Sequence, residues 1–382
     1  MMKIAFVVNI VAPYCKPLFE EIGRHCDLTV ICSAANEWDR EWDDWQGEDT
    51  TLFKTVVLKG LSFKTKQGVF YLQTGLVFAL RKIRPDIVIN TAFNLNTLWG
   101  SLYAKLFRKP SMIWSEATCF SERNRSFARR WFRKMLVRLN DAYIPSGIEA
   151  KEFLVSLGAD EARCFTAVDA IEDIRKSPEY DKIHEESKRV RSEQSDPVLL
   201  FSGRLIELKG IDLLFAAYEK IHDLSDVALW IMGSGPLENK LKDDVDRKCL
   251  QNVKFLGFKN EREKWVYFLA SDIFVFPTRQ DVWGLVVNEA MLCGLPVICS
   301  KFAGCCKDLI EDEKTGFVID PNDTESFAHV LRKVITNDGL RGAMSERARE
   351  KACEYSIEES AKGFLRAFNF ARKRPKELIF HE

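Results

Sequence analysis

Twelve short apolar runs, rich in β-branched and aromatic residues, alternate with longer segments of helical pattern, and this rhythm constrains the fold more than anything else in the chain. Six precede residue 150: IAFVV, LTVIC, TVVL, DIVIN, SMIW and AYIP. Six follow Val198: VLLFSG, VALWIMG, VKFLGF, DIFVF, PVICS and GFVID. Strand–helix alternation of this kind predicts parallel sheets covered by helices, an α/β class. At 382 residues, two sets of six imply two domains. The expected division is 1–174 and 175–356. The charged stretch Glu172–Pro197, poor in large apolar residues, reads as the linker region. Ile357–Lys373 reads as a helix, within about 357–374, that either packs on the second domain or crosses back to the first.

Composition narrows the class. Lys plus Arg equals Asp plus Glu at 56 each, so no overall basic field points to nucleic acid. The eleven cysteines form no CxxC pair and no metal-type spacing, which suits reduced thiols in a cytoplasmic protein. Cys305 and Cys306 read as small core residues. The opening MMKIAFVVNIVAPYC reads as a first buried strand rather than a signal peptide. Gly68–Leu80, interrupted by Gln73, is well short of the ~20 residues that span a bilayer, so no transmembrane anchor is expected.

Chemistry concentrates after Val198. In Ser271–Cys299, SDIFVFPTRQDVWGLVVNEAMLCGLPVIC, one strand ends at Pro277, a helix follows, and Gly294 precedes the next strand. Ligands of such units sit beyond the carboxyl ends of the strands, so Asp281 and Glu289, eight residues apart, can face one ligand. FSGRLIELKG at Phe201–Gly210 places Arg204 in a turn after Gly203 and Lys209 before a helix. Both cations suit phosphate oxygens, and equally a pair of surface charges. IMGSGP around Gly233 permits close backbone approach to a ligand, or is simply a tight turn. Gly304 and Cys305, in AGCCKDLI, lie in a third loop of this kind, where backbone N–H groups can meet a phosphate or sugar. Asp244-Val245-Asp246 looks like a metal-binding DxD but lies in a charged helical run, where residues two apart face different sides. No metal site is expected.

Two segments of the first domain stand apart. WDREWDDW, Trp38–Trp45, can stack on sugar rings or be a surface loop anchored by packed indoles. Arg123–Arg138, RNRSFARRWFRKMLVR, carries seven cations and no acid at near-helical apolar spacing. It fits an anionic membrane surface, or a sheet-packed helix with a solvated basic face.

Arg204, Lys209, the IMGSGP turn, Asp281 and Glu289, in this order, resemble the family-4 retaining glycosyltransferases of the GT-B fold. PTRQDVWGLVVNEAMLCGLPV is similar to that family's stretch containing two glutamates separated by seven residues; Asp281 stands where the first Glu would be. The resemblance runs from about Val198 to Asp323. It implies two Rossmann-like domains facing each other across a cleft, and a sugar moved from a nucleotide-sugar donor to a growing polysaccharide or lipid-linked glycan. Glu289 would hold the ribose hydroxyls, Arg204 and Lys209 would neutralise the diphosphate, and the Gly304 loop would contact diphosphate or sugar. No cofactor or metal is implied. The first domain would hold the acceptor, with Tyr14 in NIVAPY and Glu116 in WSE as acceptor-side residues, and the protein would be cytoplasmic, peripheral on the inner face of a membrane. A nucleotide-sugar epimerase or hydrolase of the same fold, or a non-catalytic nucleotide-sugar-binding subunit, are the competing readings.

Overall fold

The computed structural model describes the whole chain except residues 35–50, 66, 67, 74, 124, 125, 195, 196, 222, 225, 226, 251 and 374–382; for 61–65 and 68–72 it describes the backbone alone. WDREWDDW therefore lies outside the described residues. Two compact units divide the rest: Met1–Ala170 with the C-terminal segment from Ile357, and Ile171–Ser356.

The first unit is built on β1 (Lys3–Val8), β2 (Asp27–Cys32), β3 (Phe53–Val57), the hairpin β4 (Leu61–Thr65) and β5 (Gly68–Leu72), then β6 (Ile87–Thr91), β7 (Ser111–Ser115) and β8 (Ala142–Pro145). All but the hairpin strands form one sheet, in the order β3-β2-β1-β6-β7-β8, with every pair parallel. Both faces are covered, and β1 shows it residue by residue. Ile4, Phe6 and Val8 point into one cluster, and Ala5 and Val7 into another with Leu76, Leu80 and Tyr103. Burial on both faces is why the strands read as unbroken apolar runs.

Of the two expectations for the C-terminal helix, the structure takes the second. Ile357–Lys373 lies on the first sheet. Phe364 is fully buried with its ring 5.5 Å from Phe6 and 5.2 Å from Trp114. Gly363 permits the approach, since a Cβ there would stand 2.3 Å from the Thr166 carbonyl oxygen.

The second unit repeats the plan with β9 (Val198–Ser202), β10 (Ala228–Met232), β11 (Val253–Gly257), β12 (Ile273–Phe276), β13 (Val297–Ser300) and β14 (Gly316–Ile319). Its order is β11-β10-β9-β12-β13-β14, again all parallel. Each sheet thus has the doubly wound order whose direction reverses between the first and fourth strands, and ligands of such sheets bind beyond the carboxyl ends at that reversal. In the second unit the reversal falls between β9 and β12.

The linker expectation needs correction. The units divide after Ala170, four residues before the expected 174, and the charged stretch holds a helix, Tyr180–Ser192. Ile183 and Ser187, one turn apart, are buried in it. Arg262, on the helix Glu261–Leu269, pairs with Glu186 at 2.8 Å. A stripe of one Ile and one Ser is too narrow to stand out among so many charges, yet it suffices to seat a helix.

Candidate donor-binding site

Adjacent strands β9 and β12 deliver two loops at the reversal point, 203–210 and 277–284, and the chain clasps them together. Thr278 Oγ1 donates to the Leu208 carbonyl at 3.0 Å, and the Arg279 N–H to the same oxygen at 2.9 Å. The Arg279 guanidinium grips Asp212 through two bonds of 2.6 Å and adds one to the Glu207 carbonyl at 2.7 Å. Two parallel bonds from one guanidinium fix orientation as well as distance. Gly210 has φ +69°, and a Cβ there would lie 2.0 Å from the Pro277 carbonyl oxygen, so conformation and closeness both require glycine.

Lys209 and Asp281, predicted as site residues, meet across this clasp in a direct ion pair. The Lys209 ammonium also lies 5.7 Å from the centre of the Phe276 ring. Arg204 is exposed in the turn just before them. An ammonium and a guanidinium at the carboxyl ends of these strands can neutralise a departing phosphate.

Glu289 takes a different partner. It lies on the helix Leu285–Leu292, 7% exposed, and its carboxylate accepts from Lys264 Nζ at 2.6 Å. Lys264 comes from the Glu261–Leu269 helix and also reaches Glu261 at 2.7 Å. Burial raises the Glu289 pKa by favouring the neutral acid, and the Lys264 charge pulls the other way. For Lys264, burial opposes the charge but Glu289 and Glu261 outweigh it, so its pKa is raised as well. At the start of the Glu289 helix, Gly284 has φ +106°, and the buried Trp283 indole N–H donates to Asn288 at 2.9 Å. That bond anchors the loop to the helix at the residue just before Glu289.

The glycines let neighbouring loops approach one another, as the tight-turn alternative for Gly233 expects. At Gly233, φ is +134°, and a Cβ would stand 2.0 Å from the Gly203 carbonyl oxygen. The close approach these two residues permit is between the loops after β9 and β10. The Gly304 and Cys305 amides, expected to face a phosphate or sugar, are already engaged: Gly304 N–H donates to the Asp281 carbonyl at 3.1 Å and Cys305 N–H to that of Trp283 at 3.1 Å. Asp281 and Ala303 form an isolated parallel bridge, so the two loops carry the pairing of β12 and β13 beyond the strands. A Cβ on Gly304 would come within 1.8 Å of the Val282 carbonyl oxygen. Both residues therefore fix the backbone that carries Asp281. The Cys305 side chain is fully buried, and burial pushes its thiol pKa up, away from reactivity.

Sequence reasoning missed Lys264, which sits in the charged run NEREKWVYF and looks like surface. Its signal was spacing: it precedes the buried Phe268 by four residues, on the inward side of the helix. Asp244, by contrast, pairs with Arg247 on its own helix. Among the described residues no group of three or more His, Cys, Asp and Glu is arranged to hold a metal ion.

In the first unit, Tyr14 is 44% exposed in the turn Pro13–Cys15 after β1, and the partly buried Glu116 follows β7. Both lie at the carboxyl edge of the sheet, with β6 between their strands. The basic segment forms a helix, Phe127–Leu139, that buries Leu136 and Val137 and exposes Phe127 (84%) and Trp131 (60%). Arg129, Arg130, Lys134 and Arg138 are exposed, whereas Arg133 is half-enclosed, paired with Glu122 and within 5.4 Å of the Phe93 ring centre. Among the described residues no helix is long and apolar enough to cross a membrane.

Residues 182–351 match the family described as Glycosyl transferases group 1. An uncharacterized glycosyltransferase of Methanocaldococcus jannaschii is 30% identical over 181 residues, 47% of this chain and 46% of the relative. The Escherichia coli O-antigen chain mannosyltransferase C is 26% identical over 178 residues, 45% of this chain and 47% of the relative. The chain thus spans a little under half the length of the curated relatives it matches. Among solved structures, Anabaena HepE in complex with UDP superposes with a TM-score of 0.77 at 18% identity, covering 97% of this chain and all of that one.

Proposed function

We propose that this chain, whose residues 182–351 match the group 1 glycosyltransferase family and whose fold is that of GT-B proteins, is a retaining, metal-independent glycosyltransferase. It moves a sugar from a nucleotide-sugar donor to a growing polysaccharide or a lipid-linked glycan. The observation that carries the reading is the Lys209–Asp281 pair held at the carboxyl ends of β9 and β12, with Arg204 exposed earlier in the same loop as Lys209. HepE binding UDP and the mannosyltransferase building O-antigen chains support the substrate classes.

In this reading the diphosphate meets Lys209 and Arg204, Glu289 holds the ribose, and Asp281 lies toward the donor sugar. The bond from the anomeric carbon to the phosphate oxygen breaks with its electron pair going to the diphosphate. Lys209, exchanging Asp281 for the diphosphate, and Arg204 stabilise that charge. The acceptor hydroxyl attacks from the face the phosphate leaves, and its proton passes to the departing oxygen, so the anomeric configuration is kept. Tyr14 and Glu116 contribute to acceptor binding in the first unit.

The helix Phe127–Leu139 brings the enzyme to its acceptor as a peripheral protein on the cytoplasmic face of an anionic membrane. Its exposed aromatics enter the interface, and each exposed cation near the lipid adds about 1 kcal/mol. Arg133 is excluded from that surface by its pairing with Glu122.

A thermal-shift panel of nucleotide sugars is the first test, since a bound donor at 100 times its Kd stabilises by about 2.7 kcal/mol. The donor found is then incubated with lipid-linked acceptors in phosphatidylglycerol vesicles, with and without EDTA, and the product linkage is read by NMR. Retention of configuration and indifference to EDTA are expected. A donor that binds without transfer to any acceptor, or an inverted product, overturns the assignment. Charge reversal at Arg129, Arg130 and Lys134 releases the protein from the vesicles; unchanged sedimentation removes the membrane.

A further inference from the structure

Glu289 presents a chemical problem that its own helix does not solve. A carboxyl group this buried favours its neutral acid. A neutral acid turns one oxygen into a hydroxyl donor and gives up the charge-assisted bonds that make carboxylates strong acceptors of sugar hydroxyls. The fold answers with Lys264, brought 2.6 Å from the carboxylate by a separate helix and itself steadied at 2.7 Å by Glu261. Each carboxylate oxygen has two lone-pair sites, so accepting from the ammonium leaves Glu289 room for two hydroxyls.

We propose that Lys264 is a positioning residue: it keeps Glu289 ionised and aimed, and so confers the protein's preference for nucleotides with an intact ribose 2′,3′-diol. The proposal rests on the reading of Glu289 as the ribose ligand. It assigns Lys264 no contact with the nucleotide. The titratable and charged groups around Glu289 are Lys264 and Glu261 on the facing helix and Cys293 a turn later on its own helix. The Arg349 guanidinium, from the helix Asp338–Cys353, reaches the Cys293 carbonyl at 3.4 Å. Burial pushes the Cys293 thiol far above the usual range, so it stays neutral throughout the pH range used. Among the described residues Lys264 is therefore the cation in contact with this carboxylate, and replacing it leaves ionisation dependent on pH.

The test measures binding of UDP, GDP and ADP, each beside its 2′,3′-dideoxy form, by titration calorimetry from pH 6 to 9. The proteins are wild type, Lys264→Met, Lys264→Arg and Glu289→Ala, each checked for cooperative thermal unfolding. Wild type favours the ribonucleotide by at least tenfold, the scale of one charge-assisted hydrogen bond. Lys264→Met loses most of that preference at the low end of this range and regains it as the pH rises, because a buried carboxyl without its cation ionises at higher pH. Lys264→Arg retains it throughout. If Glu289→Ala abolishes the preference while Lys264→Met keeps it at the low end of the range, the role of Lys264 is refuted and the ribose reading stands. A Lys264→Met protein that melts lower with its preference intact is the signature of a merely structural lysine. If Glu289→Ala itself keeps the preference, the ribose reading falls and takes the proposal with it.

Discussion

Among the lysine–carboxylate pairs of the second unit, two have nearly equal exposure and opposite construction. Lys209 and Asp281 are 21% and 13% exposed, Lys264 and Glu289 18% and 9%. The first pair is mounted on two loops clasped at the carboxyl ends of β9 and β12, each side chain a few residues from a glycine. The second is mounted on two helices, and its lysine has a further carboxylate in Glu261. A pair on loops can be parted when a stronger anion arrives; a pair between helices holds its geometry whatever binds. The same chemistry thus serves as a contact to be exchanged in one place and as a fixed support in the other.

The sharpest way to break this comparison is to delete one cation from each pair. Lys209→Ala is expected to lower turnover of the nucleotide sugar by about 10²–10³-fold, the usual effect of removing one preorganised charge at a leaving group, while changing stability by about 1 kcal/mol or less. Steady-state kinetics and a denaturant titration read the two numbers, and a large loss of stability without loss of rate would reverse the assignment of the pairs. Lys264→Met is expected to cost about 1–3 kcal/mol of stability, because it strips a buried carboxylate of its partner. Its kinetic effect falls on KM more than on kcat. Equal effects of both substitutions on kcat would erase the distinction.

A smaller effect probes the clasp on which the first pair depends. Burial alone would raise the Asp212 pKa, but the Arg279 guanidinium and the first amides of its helix hold it below the usual aspartate range. A depressed carboxylate contributes stability that is fully present above the unfolded value of about 3.9 and is lost as pH falls through its lower folded value. The melting-temperature gap between wild type and Asp212→Asn should therefore be present at pH 7 and close as the pH drops below about 4. With both groups substantially exposed, the gap corresponds to less than about 1 kcal/mol. A gap that stays constant down to pH 2 would mean that the carboxylate's charge is not what holds the loops.

How much of this was legible beforehand follows burial. The strands of both main sheets announced themselves because each is covered on two faces, as Ile4, Phe6 and Val8 against Ala5 and Val7 show. The helix Tyr180–Ser192 did not, since its seat rests on little more than Ile183 and Ser187. The hairpin β4–β5 was also missed, as its second strand merged in sequence with the helix after Gln73. Asp281 and Glu289 were singled out by their spacing and their place after a strand. The Lys264 partner of Glu289 was not. Lys264 is contributed by a helix 25 residues away, and the engagement of the Gly304 and Cys305 amides depends on two loops pairing beyond their strands, which no local pattern records.

The return of Ile357–Lys373 to the first sheet also sets an order of events during synthesis. The face of that sheet bearing Phe6, Phe19 and Trp114 is closed by Phe364 and Phe368, which emerge only after Ile171–Ser356 has been made. At roughly 5–20 residues per second that interval is about 10–40 s. For that time a nearly complete sheet carries an open aromatic face, so the part of the chain made first is the part finished last.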